Sequence, residues 1–86
     1  MAELTDLTDI YMFKTEEEAQ KILNEMIRLA CWYGVVLESD FKDLIDREIY
    51  PEDYKYGWLE HTIKEARVVS TERGYFIEFP RSVPLE

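Results

Sequence analysis

Cysteine is nearly missing from this sequence: Cys31 is the only one, which excludes an internal disulfide and fits a reducing cytoplasm. Histidine is equally scarce. With His61 as its one partner, Cys31 cannot close a tetrahedral zinc site. The same two residues are the only Cys-His pair available for nucleophilic catalysis. Cys31 falls inside a predicted helix rather than on an electropositive turn, so it reads as a core or half-buried filler. His61 reads as a surface or boundary residue. The glycines, Gly34, Gly57 and Gly74, are isolated, which excludes a phosphate-cradling loop. No apolar run approaches the roughly 20 residues of a membrane span, and the acidic N-terminus lacks the basic start of a signal peptide. Positive charge is also in short supply: 10 Lys plus Arg stand against 19 Asp plus Glu, a net charge of −9. Such a chain is repelled by phosphate backbones and anionic lipid.

What is present describes one folded domain over residues 1–86. The hydrophobic fraction of 47% and aromatic fraction of 14% are those of a globule with a single modest core. Asp9-Ile10-Tyr11-Met12-Phe13 reads as a short strand. Thr15 and Glu18 form a predicted capping box, and Glu16, Glu17 and Glu18 suit the positive end of a helix dipole. Ala19, Ile22, Leu23, Met26, Ile27, Ala30 and Tyr33 recur at the spacing of one helical face. Gly34 then serves as a left-handed cap. Leu29, Cys31 and Trp32 lie off that stripe, which predicts a second element over the helix end.

Val35-Val36-Leu37 is expected as a brief extended connection, with Ser39 capping a second helix that ends near Arg47 or Glu48. Phe41, Leu44 and Ile45 give that helix its apolar face, leaving Asp40, Lys42, Asp43 and Asp46 to water. The Asp40/Asp43 and Asp43/Asp46 spacings could hold Mg²⁺, but a solvated helix face accounts for them without it. No cofactor or metal is expected, and the chain reads as non-enzymatic. Pro51 suits the first position of one helical turn ended by Gly57. Residues 58–66 fit helix and extended chain equally. Val68–Thr71 and Tyr75–Phe79 form a predicted hairpin turning at Gly74. Tyr75, Ile77 and Phe79 share one of its faces. Pro80 and Pro84 stop that strand and leave an extended tail. Leu85-Glu86 reads equally as native chain or cloning remnant.

The expected architecture is therefore α+β: a short N-terminal strand, a long amphipathic helix, a short second helix and a C-terminal β-hairpin, with a small sheet packed on the helices. That order is winged-helix-like. A DNA reader, however, gathers Lys and Arg on its reading helix and wing. Here Lys55, Lys64 and Arg67 face Glu52, Asp53, Glu60 and Glu65, so nucleic acid is not the expected partner.

Some of the same residues carry a resemblance. Phe13-x-Thr15-x-x-x-Ala19-x-x-Ile22-Leu23, Tyr33-Gly34-Val35-Val36, Asp40-Phe41-x-x-Leu44-Ile45, Lys55-Tyr56-Gly57-Trp58, Ala66-Arg67-Val68, Arg73-Gly74-Tyr75 and Phe79-Pro80-Arg81 resemble a family of small uncharacterised proteins. These are encoded by tailed phages and prophages of Gram-positive bacteria. The resemblance implies a phage origin, a place in the cytoplasm of the bacterial host and an α+β fold; it carries no activity with it.

The stretch Tyr50 to Trp58 is the most informative, because large aromatics stand where a surface loop is expected. Trp58 suits a plug between the helix pair and the hairpin. Tyr50, Tyr54, Tyr56 and Trp58, with Glu52 and Asp53 around them, are the candidates for a protein interface. Three functions follow: a protein-interaction module that binds a host or phage protein, an acidic nucleic-acid mimic that inhibits a host DNA-binding enzyme, and a divergent winged-helix DNA-binding protein. The sequence does not specify an oligomeric state.

Overall fold

Thr15 opens helix α1 (Glu16–Tyr33) by accepting the Glu18 backbone N–H on its hydroxyl at 3.1 Å. Of the expected capping box only this half is made. In this computed structural model, which describes residues 11–85, α1 is the element around which the rest is arranged. Its stripe places Ala19, Leu23, Met26 and Ala30 in the core, with Ile22 and Ile27 packed at the margin. Gly34 ends it at φ 84°, the left-handed conformation that glycine adopts without strain. Tyr33 departs from expectation: it is exposed, because the packed stripe ends at Ala30. Strand β1 and the short helix near residue 60 do pack on α1, but of the off-stripe residues only Leu29 gains cover. Cys31 is exposed rather than a filler.

The chain is α+β, with two small antiparallel sheets among the described residues. One has three strands in the order β1 (Val35–Leu37), β2 (Tyr56–Leu59), β5 (Val83–Pro84); the other is the hairpin β3 (Arg67–Thr71) and β4 (Gly74–Glu78). Val35-Val36-Leu37, expected as a bare connection, is thus a strand paired with β2. Gly57, expected to end a turn, instead sits inside the central strand with Val36 and Leu37 against it. Leu59 closes β2, and residues 60–63 form one helical turn, α3 (Glu60–Ile63), which buries Ile63 against α1.

Helix α2 (Glu38–Leu44) starts one residue before Ser39. Its cap comes from Asp40, whose carboxylate accepts the Leu37 backbone N–H at 2.9 Å, while Ser39 is buried in the first turn. It also ends early. Asp46 takes a left-handed φ of 59°, and the bonds Arg47 N–H to Lys42 C=O and Asp46 N–H to Asp43 C=O complete a Schellman closure. Asp tolerates that conformation better than most residues, which hid the stop. Pro51 begins a 3-10 turn (Pro51–Tyr54) as its fixed φ favours.

The expected hairpin forms with shifted ends: its first strand starts one residue earlier, at Arg67, and its second takes in Gly74 and stops at Glu78, leaving Phe79 outside. Glu72 and Arg73 turn it, and the positive φ falls on Gly74, where a Cβ would press on the Phe13 carbonyl. That approach reflects a single antiparallel bridge between Phe13 and Tyr75, all that the described residues hold of the expected N-terminal strand. Asp9 and Ile10 lie outside the described residues. Ile77 is buried with Tyr75 and Phe79 beside it, whereas Glu78 faces out and pairs with Arg67 at 2.8 Å. With a second sheet interposed, the order is not a bare helix–helix–hairpin. No helix among the described residues is long and apolar enough to cross a membrane.

Candidate functional site

Tyr50 to Trp58, a 3-10 turn leading into β2, is pinned from within. Asp53 is only 5% exposed, and one of its carboxylate oxygens accepts from two donors, Lys42 Nζ at 2.9 Å and the Tyr50 N–H at 2.7 Å. The ammonium of Lys42 also sits 5.1 Å above the Tyr50 ring, a cation–π contact that joins α2 to the segment. A short carboxylate buried against a backbone N–H and an ammonium is well satisfied. Replacing Asp53 with alanine orphans both donors, and a loss of about 2–3 kcal/mol in urea unfolding is expected. Asp53→Asn keeps an oxygen for Tyr50 and should lose less. Lys42 is partly solvated, so a value near zero for the alanine variant would mean that water replaces the carboxylate.

Trp58 is the second pin. Also 5% exposed, its ring stacks on Phe79 with centroids 4.8 Å apart, and Phe79 meets Phe41 edge-on at 4.9 Å. The indole N–H donates to the Pro80 carbonyl at 2.6 Å. The ring therefore plugs the gap between α2, the three-stranded sheet and the chain leaving the hairpin.

With Asp53 and Trp58 turned inward, the surface that a partner can meet in this segment consists of Tyr50, Pro51, Glu52, Tyr54, Lys55 and Tyr56. The three tyrosines are 50, 60 and 41% exposed. Beside them runs a groove of about 560 Å³ whose walls include Tyr11, Phe41, Lys42, Tyr56 and Phe79. Such a volume is that of a small-ligand pocket.

Two exposed rings escaped the sequence reading. Trp32 and Tyr33, at the far end of α1, are more exposed than any of the three tyrosines, and Arg28 lies 5.8 Å from the Trp32 ring centre. Trp32 already stood off the helix stripe, a signal that could have flagged it; Tyr33 stood on the stripe and gave none. His61 is exposed, and Asp40 is committed to its cap, which leaves Asp43 and Asp46 as bare surface carboxylates. Compared with protein-family models, curated proteins and solved structures, the chain matches none.

Proposed function

We propose that the chain is a non-enzymatic phage or prophage accessory protein that binds a host or phage protein through Tyr50, Tyr54 and Tyr56. The observation that supports this reading most is the combination of three exposed tyrosines with a turn held by two buried pins. Rings on a preformed turn lose little freedom on binding, so more of their contact energy remains as affinity. Tyrosine also tolerates a wet rim.

The test is affinity capture from a lysate of the Gram-positive host that the resemblance points to. The double variant Tyr54→Ala/Tyr56→Ala is expected to keep its far-UV spectrum and lose at least about 2 kcal/mol of binding, near thirtyfold in Kd for the captured protein. If it captures the same protein equally well, the tyrosine surface is not the site. The net charge of −9 supports a second reading, an acidic nucleic-acid mimic. That reading calls for affinity that falls steeply with salt, whereas a tyrosine-centred interface is salt-tolerant. A DNA-binding winged helix is favoured by no observation.

A further inference from the structure

The sheet edge beside Tyr56 is already occupied. After Phe79 the chain crosses from the hairpin to the other sheet in extended form, and every hold on it is of the kind that an external peptide could reproduce. Trp58 Nε1–H donates to the Pro80 carbonyl, and the Ser82 hydroxyl donates to Glu38. Val83 and Pro84 pair antiparallel with Gly57 and Tyr56, and the Leu85 N–H reaches the Lys55 carbonyl at 2.9 Å. No residue from Pro80 to Leu85 is buried. Backbone pairing with shallow side-chain contacts is how a strand-adding peptide binds a sheet edge. A segment with few buried apolar contacts also opens at low free energy.

Charge points the same way. Pro80–Leu85 carries one charge, Arg81, in a chain whose net charge is −9. The segment's one charge is positive, and its Ser82 hydroxyl donates to the Glu38 carboxylate.

We propose that the β2 edge, with Trp58, Gly57 and Glu38, is a peptide-docking site that the segment Pro80–Leu85 fills as a displaceable strap. Its external ligand is an extended, proline-bearing, basic segment of a partner protein. The proposal rests on the interaction-module reading and adds the chemistry of the partner. Gly57 fits the role, since the Leu85 side chain lies over it where any side chain would intrude. A tethered strap competes at an effective concentration of about millimolar, so the intact chain discriminates strongly against weak ligands.

The probe is the acetylated, amidated peptide Phe-Pro-Arg-Ser-Val-Pro-Leu, titrated into ¹⁵N-labelled full-length protein. The Trp58 indole N–H and the Gly57 amide are the reporters. Ser82→Ala/Val83→Gly loosens the strap and leaves the edge of β2 unchanged. Saturable shifts are expected at both reporters, with half-saturation at least about tenfold lower in the loosened variant than in wild type. An Arg→Glu version of the peptide should bind more weakly in both. Absence of saturable shifts in the loosened variant overturns the proposal, and so does a dimer by light scattering, which gives the edge to a second copy. Should that variant fail to fold, hydrogen exchange in wild type decides. The Leu85 amide must exchange at least about a hundredfold faster than that of Met26, and equal protection sinks the strap. Because the probe is synthetic, its failure leaves the tyrosine-surface capture result standing.

Discussion

Trp58→Ala is expected to remove about 3–5 kcal/mol of stability, the range for truncating a buried large aromatic. A chain of 86 residues has roughly 4–13 kcal/mol in total, so this variant gives up about a quarter of its stability or more. Three separate contributions are lost together. The ring's buried area goes, the stack on Phe79 goes, and the Pro80 carbonyl loses its indole donor. Trp58→Phe separates them. Phenylalanine keeps most of the area and the stack, and the half-buried Pro80 carbonyl can turn to water, so a loss of about 1 kcal/mol is expected. Urea unfolding of both variants measures the difference. If alanine and phenylalanine are equally harmful, the hydrogen bond dominates and the plug is secondary; if both are mild, Trp58 is not a pin.

Gly57→Ala should be nearly as damaging, for a different reason. Its φ is not in the left-handed region, so alanine meets no backbone strain there. The obstacle is space. A Cβ at this position collides with the Val36 carbonyl oxygen and comes within 2.9 Å of both Leu37 Cα and Leu85 Cδ1. The first two are backbone atoms of the neighbouring strand and cannot swing aside as a side-chain tip can. Forced methyls typically cost about 1–3 kcal/mol, and a backbone obstacle places this one at the upper end. Gly34→Ala is the control: nothing lies within 4 Å of its Cβ position, but its φ is 84°, so only the left-handed penalty of about 1–2 kcal/mol applies. Thermal unfolding should rank Gly57→Ala below Gly34→Ala. The reverse order would mean that β1 and β2 separate easily.

These two positions also show where sequence reasoning stops. Helix α1 was legible because apolar spacing, an N-terminal Thr and a C-terminal Gly all agree on one element. The hairpin was legible through period-two alternation around Gly74. Strand β2 was not. Gly57 reads as a turn residue when taken alone, and only the neighbouring strand reveals that the residue was needed small. Helix α2 ran too long on paper because Asp46, rather than a glycine, took the left-handed position. Within the candidate site, the tyrosine cluster and the inward plug of Trp58 were legible, but the burial of Asp53 was not. Asp53 carries a surface residue's chemistry and lies inside because two donors converge on it; Trp58 lies inside because Phe79, 21 positions on, comes back to meet it. The Lys42 ammonium reaches Asp53 from α2, 11 positions back, a contact that local patterns do not encode.

The two tryptophans end up in opposite surroundings, one stacked and shielded, the other standing in solvent at the end of α1. The chain thereby carries a two-channel optical reporter. Iodide is expected to quench Trp32 in preference to Trp58, whose shielded ring should emit further to the blue. A ligand arriving at the β2 edge registers in the second channel, and one arriving at the helix end in the first, so unlabelled protein can tell which of its two faces has been touched.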